Sequence, residues 1–199
     1  MKFVIATHNT HKLEEFERIL TPLGLRIAVR ELSEVEETGE TFAQNAFLKA
    51  ESAMKETGLP AIADDSGLMV DALDGAPGVY SARYAGEGGT YDDVIEKLLY
   101  EMRGVPEGER TARFVSSICC VFPDGETLRA EGVCEGVIAF EKRGKGGFGY
   151  DPVFLCGEKS FAEMSGAEKD AVSHRGRALR AFSKILEERI GKGESDVNE

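Results

Sequence analysis

Apolar and polar positions alternate along this chain in runs short enough to be read as strands and helices in turn. Residues 2–6 form a short apolar run, after which Thr7-His8-Asn9-Thr10-His11-Lys12 is polar and Leu13, Phe16, Ile19 and Leu20 recur at helical spacing. The pattern predicts strand, polar loop, helix. Pro22 and Gly24 close that helix, and Leu25–Val29 reads as a second strand. Thr41, with Gln44 three residues on, forms a capping box opening a helix whose apolar face is Phe42, Ala46, Ala50, Ala53 and Met54. Asn45 and Lys49, four apart, share another face of it. Pro60-Ala61-Ile62-Ala63 predicts a buried strand that ends at Asp64-Asp65-Ser66-Gly67. Thr90 and Asp93 repeat the capping signal ahead of Val94, Leu98 and Met102.

From Arg113 to Phe140 the texture becomes β. Phe114–Phe122, the Pro123-Asp124-Gly125 turn, Thr127–Glu131 and Val133–Phe140 read as successive strands and a hairpin turn. A loop, Lys142–Pro152, leads to the short strand Val153–Leu155. The last helix spans Ser173–Ile190 and packs through Leu179, Phe182, Ile185 and Leu186. One domain over residues 1–190 and a polar, mobile tail over 191–199 are expected.

Composition narrows the function. With 199 residues, 42% of them hydrophobic, the chain can bury a real core. Its net charge of −12 argues against a nucleic-acid groove, which needs a positive field, but leaves room for a small phosphate ligand held by a few lysines and a cation. No apolar run approaches the ~20 residues of a membrane span, so no membrane partner and a cytoplasmic location are expected. Cys119, Cys120, Cys134 and Cys156 lack a C-x-x-C and read as reduced core thiols. Glycine is enriched, at 23 residues against a usual ~7% of the chain, and clusters in loops.

Four loops carry candidate chemistry. The Thr7–Lys12 loop enters a helix N-terminus, where free N–H groups, the helix dipole and Lys12 favour a phosphate. Neither Gly144-Lys145 nor Gly191-Lys192 has the flanking residues of a Walker loop, so this is not a P-loop protein. His8 and His11 have no third ligand at suitable spacing. Adjacent acids after an apolar strand are costly unless paired or bound to a cation. Because neighbours on an extended chain point to opposite sides, Asp65 is expected to face a metal and Asp64 to bond backbone or a lysine. Glu36, Glu37 and Glu40 offer a second carboxylate, and an oxygen donor set selects Mg²⁺.

Residues 144–149 contain a literal G-x-G-x-x-G, but it follows a charged loop and precedes a strand, so a dinucleotide reading fails. The loop instead presents Phe148 and Tyr150 for stacking on a flat base, with Asp151 to accept from ring N–H groups. Lys169, and His174 with Arg175 in the first turn of a helix capped by Ser173, are cations; the latter two oppose the helix dipole, a placement suited to meeting an anion or a ligand carbonyl. Each pattern has an ordinary structural reading when taken alone.

Taken in order, Thr7-His8-Asn9 with Lys12, Asp64-Asp65-Ser66-Gly67-Leu68, Gly75-Ala76-Pro77-Gly78-Val79-Tyr80-Ser81-Ala82-Arg83-Tyr84, Phe148-Gly149-Tyr150-Asp151-Pro152 and Ser173-His174-Arg175 resemble the inosine triphosphate pyrophosphatase (Ham1-like) family over residues 1–190. One departure is His8, where glycine is common in bacterial members. The resemblance implies an α/β fold, a mixed sheet flanked by helices with two lobes around a central substrate cleft. It implies a Mg²⁺-dependent homodimeric enzyme that cleaves dITP, ITP and XTP between the α and β phosphates, cleansing the nucleotide pool. Carried over, Thr7, His8, Asn9, Thr10, His11 and Lys12 bind polyphosphate, Asp65, Lys12 and Lys49 are catalytic, and Glu37 with Asp65 holds the metal. Ser66 contacts substrate, while Phe148, Gly149, Tyr150, Asp151, Lys169, His174 and Arg175 form the base pocket. A donor from Lys169 or Arg175 to a six-position carbonyl accepts hypoxanthine and xanthine and rejects adenine, a mismatch worth ~10⁴–10⁵ in selectivity. The alternatives are a non-catalytic purine nucleotide-sensing module and a related pyrophosphatase acting on other modified nucleotides.

Overall fold

Phe3, Val4 and Ile5 are buried, and they place the first strand, β1 (Lys2–Ile5), inside a sheet rather than at its rim. The structure, a computed structural model, describes residues 2–28 and 31–195. Seven strands follow the order β2-β1-β3-β4-β5-β6-β7, with β2 Arg26–Ala28, β3 Ala61–Val70, β4 Thr111–Val121, β5 Thr127–Ile138, β6 Phe154–Cys156 and β7 Lys159–Ser160. β1 runs parallel to β2 and β3, because helical crossovers join them; the other pairs are antiparallel. The expected mixed α/β sheet is present. Of the second-strand range, residue 29 lies outside the described residues.

Two strand expectations are corrected. β3 does not end at Asp64 but continues to Val70, paired with β4 along its whole length from Ala61↔Val121 to Val70↔Ala112. The acids stay mid-strand because helices on both faces bring them partners. β5 likewise passes unbroken through Gly132. That glycine is a crossing point: a Cβ there would lie 2.2 Å from the His174 carbonyl oxygen and 2.4 Å from the Ala178 nitrogen.

Helix α1 (Thr10–Leu20) is capped by Asn9, whose side chain accepts from the Lys12 N–H, and α2 (Phe42–Thr57) carries the expected Thr41/Gln44 capping box and ends on left-handed Gly58. α3 (Tyr91–Glu101) starts at the Thr90/Asp93 box. A further short helix, α4 (Gly166–Val172), has its own Ser165/Glu168 box. α5 (His174–Ser195) is N-capped as expected, the Gly176 N–H donating to Ser173 Oγ at 3.1 Å. It runs past Ile190 to Ser195, so the tail expected from residue 191 is helical there; residues 196–199 lie outside the described residues.

Packing follows side-chain size. Ala46, Ala50 and Ala53 bring α2 close to Ala61, Ala63, Cys119 and Val121 on one sheet face. On the other face, Phe16 and Leu20 of α1 and Leu179, Phe182 and Leu186 of α5 cover Phe3, Ile62, Ile118 and Phe122. Each fully buried side chain of this size contributes ~1.5–3 kcal/mol. Beyond Gly67, a third cluster joins Leu68 and Val70 to Val94, Ile95 and Leu98 of α3 and to Phe114, Phe154 and Phe161. Between these apolar regions a polar belt crosses the sheet, pairing Asp65 with Ser117 and Ser66 with Ser116. All four cysteines are free thiols.

Candidate active site

The belt is where the sequence-marked residues converge. Asp64 and Asp65 point to opposite faces of β3, as the period of a strand requires. Asp64, on the α1/α5 face, meets Lys12 Nζ at 2.8 Å and Arg175 Nη2 at 3.1 Å, and accepts from Ser116 Oγ at 2.5 Å and Ser66 Oγ at 3.1 Å. Burial alone would raise its pKa; the Arg175 and Lys12 charges outweigh that and hold the carboxyl well below the usual carboxylate range. The expectation that Asp64 bonds a lysine is met.

Asp65 faces α2. Its carboxylate accepts from Asn45 Nδ2 at 3.2 Å and Lys49 Nζ at 3.1 Å, and Lys49 Nζ also lies 2.7 Å from Glu37. Burial, with the Glu37 charge adding to it, pushes the Asp65 carboxyl up despite Lys49. Lys49 is held protonated, its burial outweighed by Asp65 and Glu37. Arg83 approaches the other Glu37 oxygen at 3.6 Å.

Two cavities open along this belt. The first, of about 100 Å³, is lined by Ser66, Phe114, Phe148, Gly149, Tyr150, Asp151, Lys169, His174 and Arg175 among others. The second, of about 320 Å³, is lined by Thr7, His8, Glu37 and Lys49 together with residues of the Leu32–Val35 segment. Asn9, Lys12 and Ala82 line both. Thr10 and His11 line neither: the first turn of α1 points them outward, and His11 stacks on Phe148 with centroids 5.2 Å apart. Asp65 lines neither cavity directly and reaches the second through Lys49.

The first cavity is tightly wired. Lys169 Nζ bonds Asp151 at 2.7 Å and Glu15 at 2.9 Å; Arg175 bonds Glu15, Asp64 and, at 2.8 Å, Ser66 Oγ. His174 stacks on Phe114 with centroids 4.6 Å apart, and burial, reinforced by the Arg175 charge, holds the imidazole neutral. The His174–Arg175 pair is therefore buried rather than displayed at a helix start. Among the described residues two buried polar atoms find no partner: His174 Nδ1 and Arg175 Nε. Buried polar atoms without a partner mark where a ligand's polar edge belongs.

The aromatic loop is also tied down. Asp151 Oδ2 accepts from the Phe148 N–H at 2.9 Å as well as from Lys169, and Gly147 is required there, since a Cβ would fall 2.0 Å from that oxygen. Burial raises the Asp151 carboxyl even against Lys169. Tyr150 departs from expectation. It is buried, donates its hydroxyl to the Ser81 carbonyl at 2.8 Å and forms a fixed wall instead of a free stacking ring.

Three residues escaped the sequence reading. Glu15 bridges both buried cations; its position three residues after Lys12, on the same helix face, was the available signal. Ser116 reaches Asp64 only through strand pairing. Tyr91, the first residue of α3, lines the first cavity.

Among the described residues no three His, Cys, Asp or Glu side chains converge on one point. Glu37 and Asp65, however, already share one cation, the Lys49 ammonium between them. Two carboxylates completed by phosphate oxygens and water is how Mg²⁺ is commonly held at nucleotide sites, so the donor set fits that ion.

The chain is similar to known proteins over most of its length. The Ham1 family model matches residues 3–185. The dITP/XTP pyrophosphatase of Bacillus subtilis is 48% identical over 190 residues, covering 92% of this chain and 96% of that one. That of Desulforamulus reducens is 50% identical over 194 residues, covering 94% and 96%. Among solved structures, a HAM1 protein from Coxiella burnetii superposes with a TM-score of 0.86 at 42% identity, covering 94% of this chain and 99% of that one. The Staphylococcus aureus Ham1 protein gives 0.82 at 39%, covering 95% and 100%.

Proposed function

Because the chain belongs to the Ham1 family, we propose that it hydrolyses purine nucleoside triphosphates with a six-position oxygen, dITP, ITP and XTP, to the monophosphate and pyrophosphate, with Mg²⁺ as cofactor. The relatives' activity supports the reaction. The observation in the site that carries the reading is the junction of the two cavities at Asn9, Lys12 and Ala82. One has aromatic walls and unpaired buried donors or acceptors, suited to a base. The other has a helix N-terminus and lysines, suited to phosphates.

A nucleotide laid across the junction puts its base against Phe114, Phe148 and His174, and its phosphates on Thr7, His8, Asn9 and Lys12. The reaction adds water across the α–β anhydride. The water oxygen bonds to one of the two phosphorus atoms, and the bridging oxygen leaves with the other. Asp65, bonded to the Lys49 that lines the second cavity, takes the water's proton. Lys12 and Lys49 neutralise charge developing on the phosphate oxygens. Bound through Glu37 and Asp65, Mg²⁺ would supply a further charge clamp on those oxygens. Lys169 and Arg175 spend most of their donors on Glu15, Asp151, Asp64 and Ser66. Base discrimination therefore falls to Arg175 Nε, His174 Nδ1 and the remaining Lys169 N–H.

The proposal extends to a homodimer, for which the exposed Tyr80, within the Gly75–Gly89 segment, is a candidate contact. It extends also to a cytoplasmic setting; among the described residues no helix is long and apolar enough to cross a membrane. The test is product analysis after incubation with dITP and Mg²⁺. Equal amounts of dIMP and pyrophosphate support the reading. Orthophosphate as the product, or a long-lived intact complex as a sensing module would give, contradicts it.

A further inference from the structure

We infer that Tyr91 is the moving wall of the base end of the cleft, its ring covering the bound purine opposite Phe148 and its hydroxyl latching onto Asn9. This rests on the purine triphosphate reading above and adds to it a residue that shapes base binding.

The argument begins with space. The first cavity holds about 100 Å³, whereas an enclosed apolar cavity of ~150 Å³ takes a single benzene ring. A two-ring purine needs more room than that, which an outward swing of one wall of this open cleft supplies. Phe114 and His174 are buried and stacked on each other, and Tyr150 is buried and hydrogen-bonded to Ser81. Phe148 is half-buried, braced by His11 on one side and by Lys169 Nζ 4.5 Å from its ring centre. Tyr91 is the loose wall. It is 48% exposed, its ring sits 6.3 Å from that of Phe148 at a 47° tilt, and its hydroxyl is held by one long bond, accepted from Asn9 Nδ2 at 3.4 Å.

Its attachment suits a hinge of one side chain. The Thr90/Asp93 capping box fixes the backbone at the start of α3, and Val94, one turn on, anchors the same face in the core. The ring can therefore swing while the helix stays. Because Asn9 caps α1 and lines both cavities, closing the latch ties the base end to the phosphate loop.

The chain has no tryptophan, so Tyr91→Trp installs a sole indole reporter at this wall. Inosine monophosphate, which bears the base but is not turned over, should quench or shift that emission saturably, and inorganic pyrophosphate should not. In kinetics, Tyr91→Ala should raise KM for dITP about tenfold, the size expected for losing one base–aromatic stack, with kcat within about threefold. Tyr91→Phe, lacking the latch alone, should raise it about threefold. Thermal melts confirm that each variant is folded. An indole blind to inosine monophosphate while that compound still inhibits dITP hydrolysis competitively, or an unchanged KM in Tyr91→Ala, overturns the role of Tyr91 and leaves the enzymatic reading standing. Failure of the unaltered protein to turn over dITP removes both.

Discussion

Asp64 and Asp65, neighbours in sequence, serve opposite faces of one strand: Asp64 ties Lys12 to Arg175, while Asp65 joins Lys49 and Asn45. The first assembles the wall between the two cavities. The second is kept more basic by burial and Glu37. Two adjacent positions of one strand thus sit in opposite electrostatic settings, and the proposed chemistry is assigned to Asp65.

The Glu15 carboxyl bridges two buried cations, and its removal should be felt as stability. Burial raises its pKa, but Arg175 and Lys169 more than reverse this, lowering it from 4.5 to about 2. A depressed carboxylate contributes stability above its unfolded pKa and loses it as pH falls through the folded one, here between about 4.5 and 2. The shift corresponds to about 3 kcal/mol. Urea melts should show Glu15→Gln destabilised by about 3–5 kcal/mol at pH 7, because two buried cations lose their shared partner, with most of the gap to the parent closing by pH 2.

At Gly132 the backbone of α5 passes too close for any side chain. Gly132→Ala should cost about 1–3 kcal/mol by displacing the first turn of that helix. Since His174 and Arg175 sit on that turn, KM for dITP should rise along with the loss in Tm. A variant as stable as the parent, with unchanged KM, would show that the turn adjusts freely.

Much of this was legible beforehand, and the exceptions share a cause. The Thr41/Gln44 and Thr90/Asp93 boxes are local hydrogen-bond patterns and marked their helices correctly. The opposed faces of Asp64 and Asp65 followed from strand geometry. What the sequence hid was set by partners distant along the chain. β3 runs on to Val70 because β4 pairs with it, Gly132 marks a helix crossing rather than a strand break, and Tyr150 is held by Ser81. Glu15 and Ser116 act only through residues more than 50 positions away. The Ser165/Glu168 box of α4 is a local pattern of the same kind as those of α2 and α3.

In the proposed Mg²⁺ site the protein ligands are Glu37 and Asp65, which share the Lys49 ammonium. Chelation should abolish dITP hydrolysis and Mg²⁺ restore it. Glu37→Gln should raise the Mg²⁺ concentration for half-maximal rate by about tenfold or more. Hydrolysis that survives chelation would separate these carboxylates from any metal role.

The account stands most directly on Asp65→Asn, compared with the parent for both turnover and dITP affinity. The amide keeps the shape and its one oxygen can still accept from Lys49 or Asn45, yet it cannot accept a proton from water. The predicted result is kcat lowered by about 10²–10⁴ with dITP bound at near-parental affinity. Parental turnover in that variant would contradict the assignment of the chemistry to this strand.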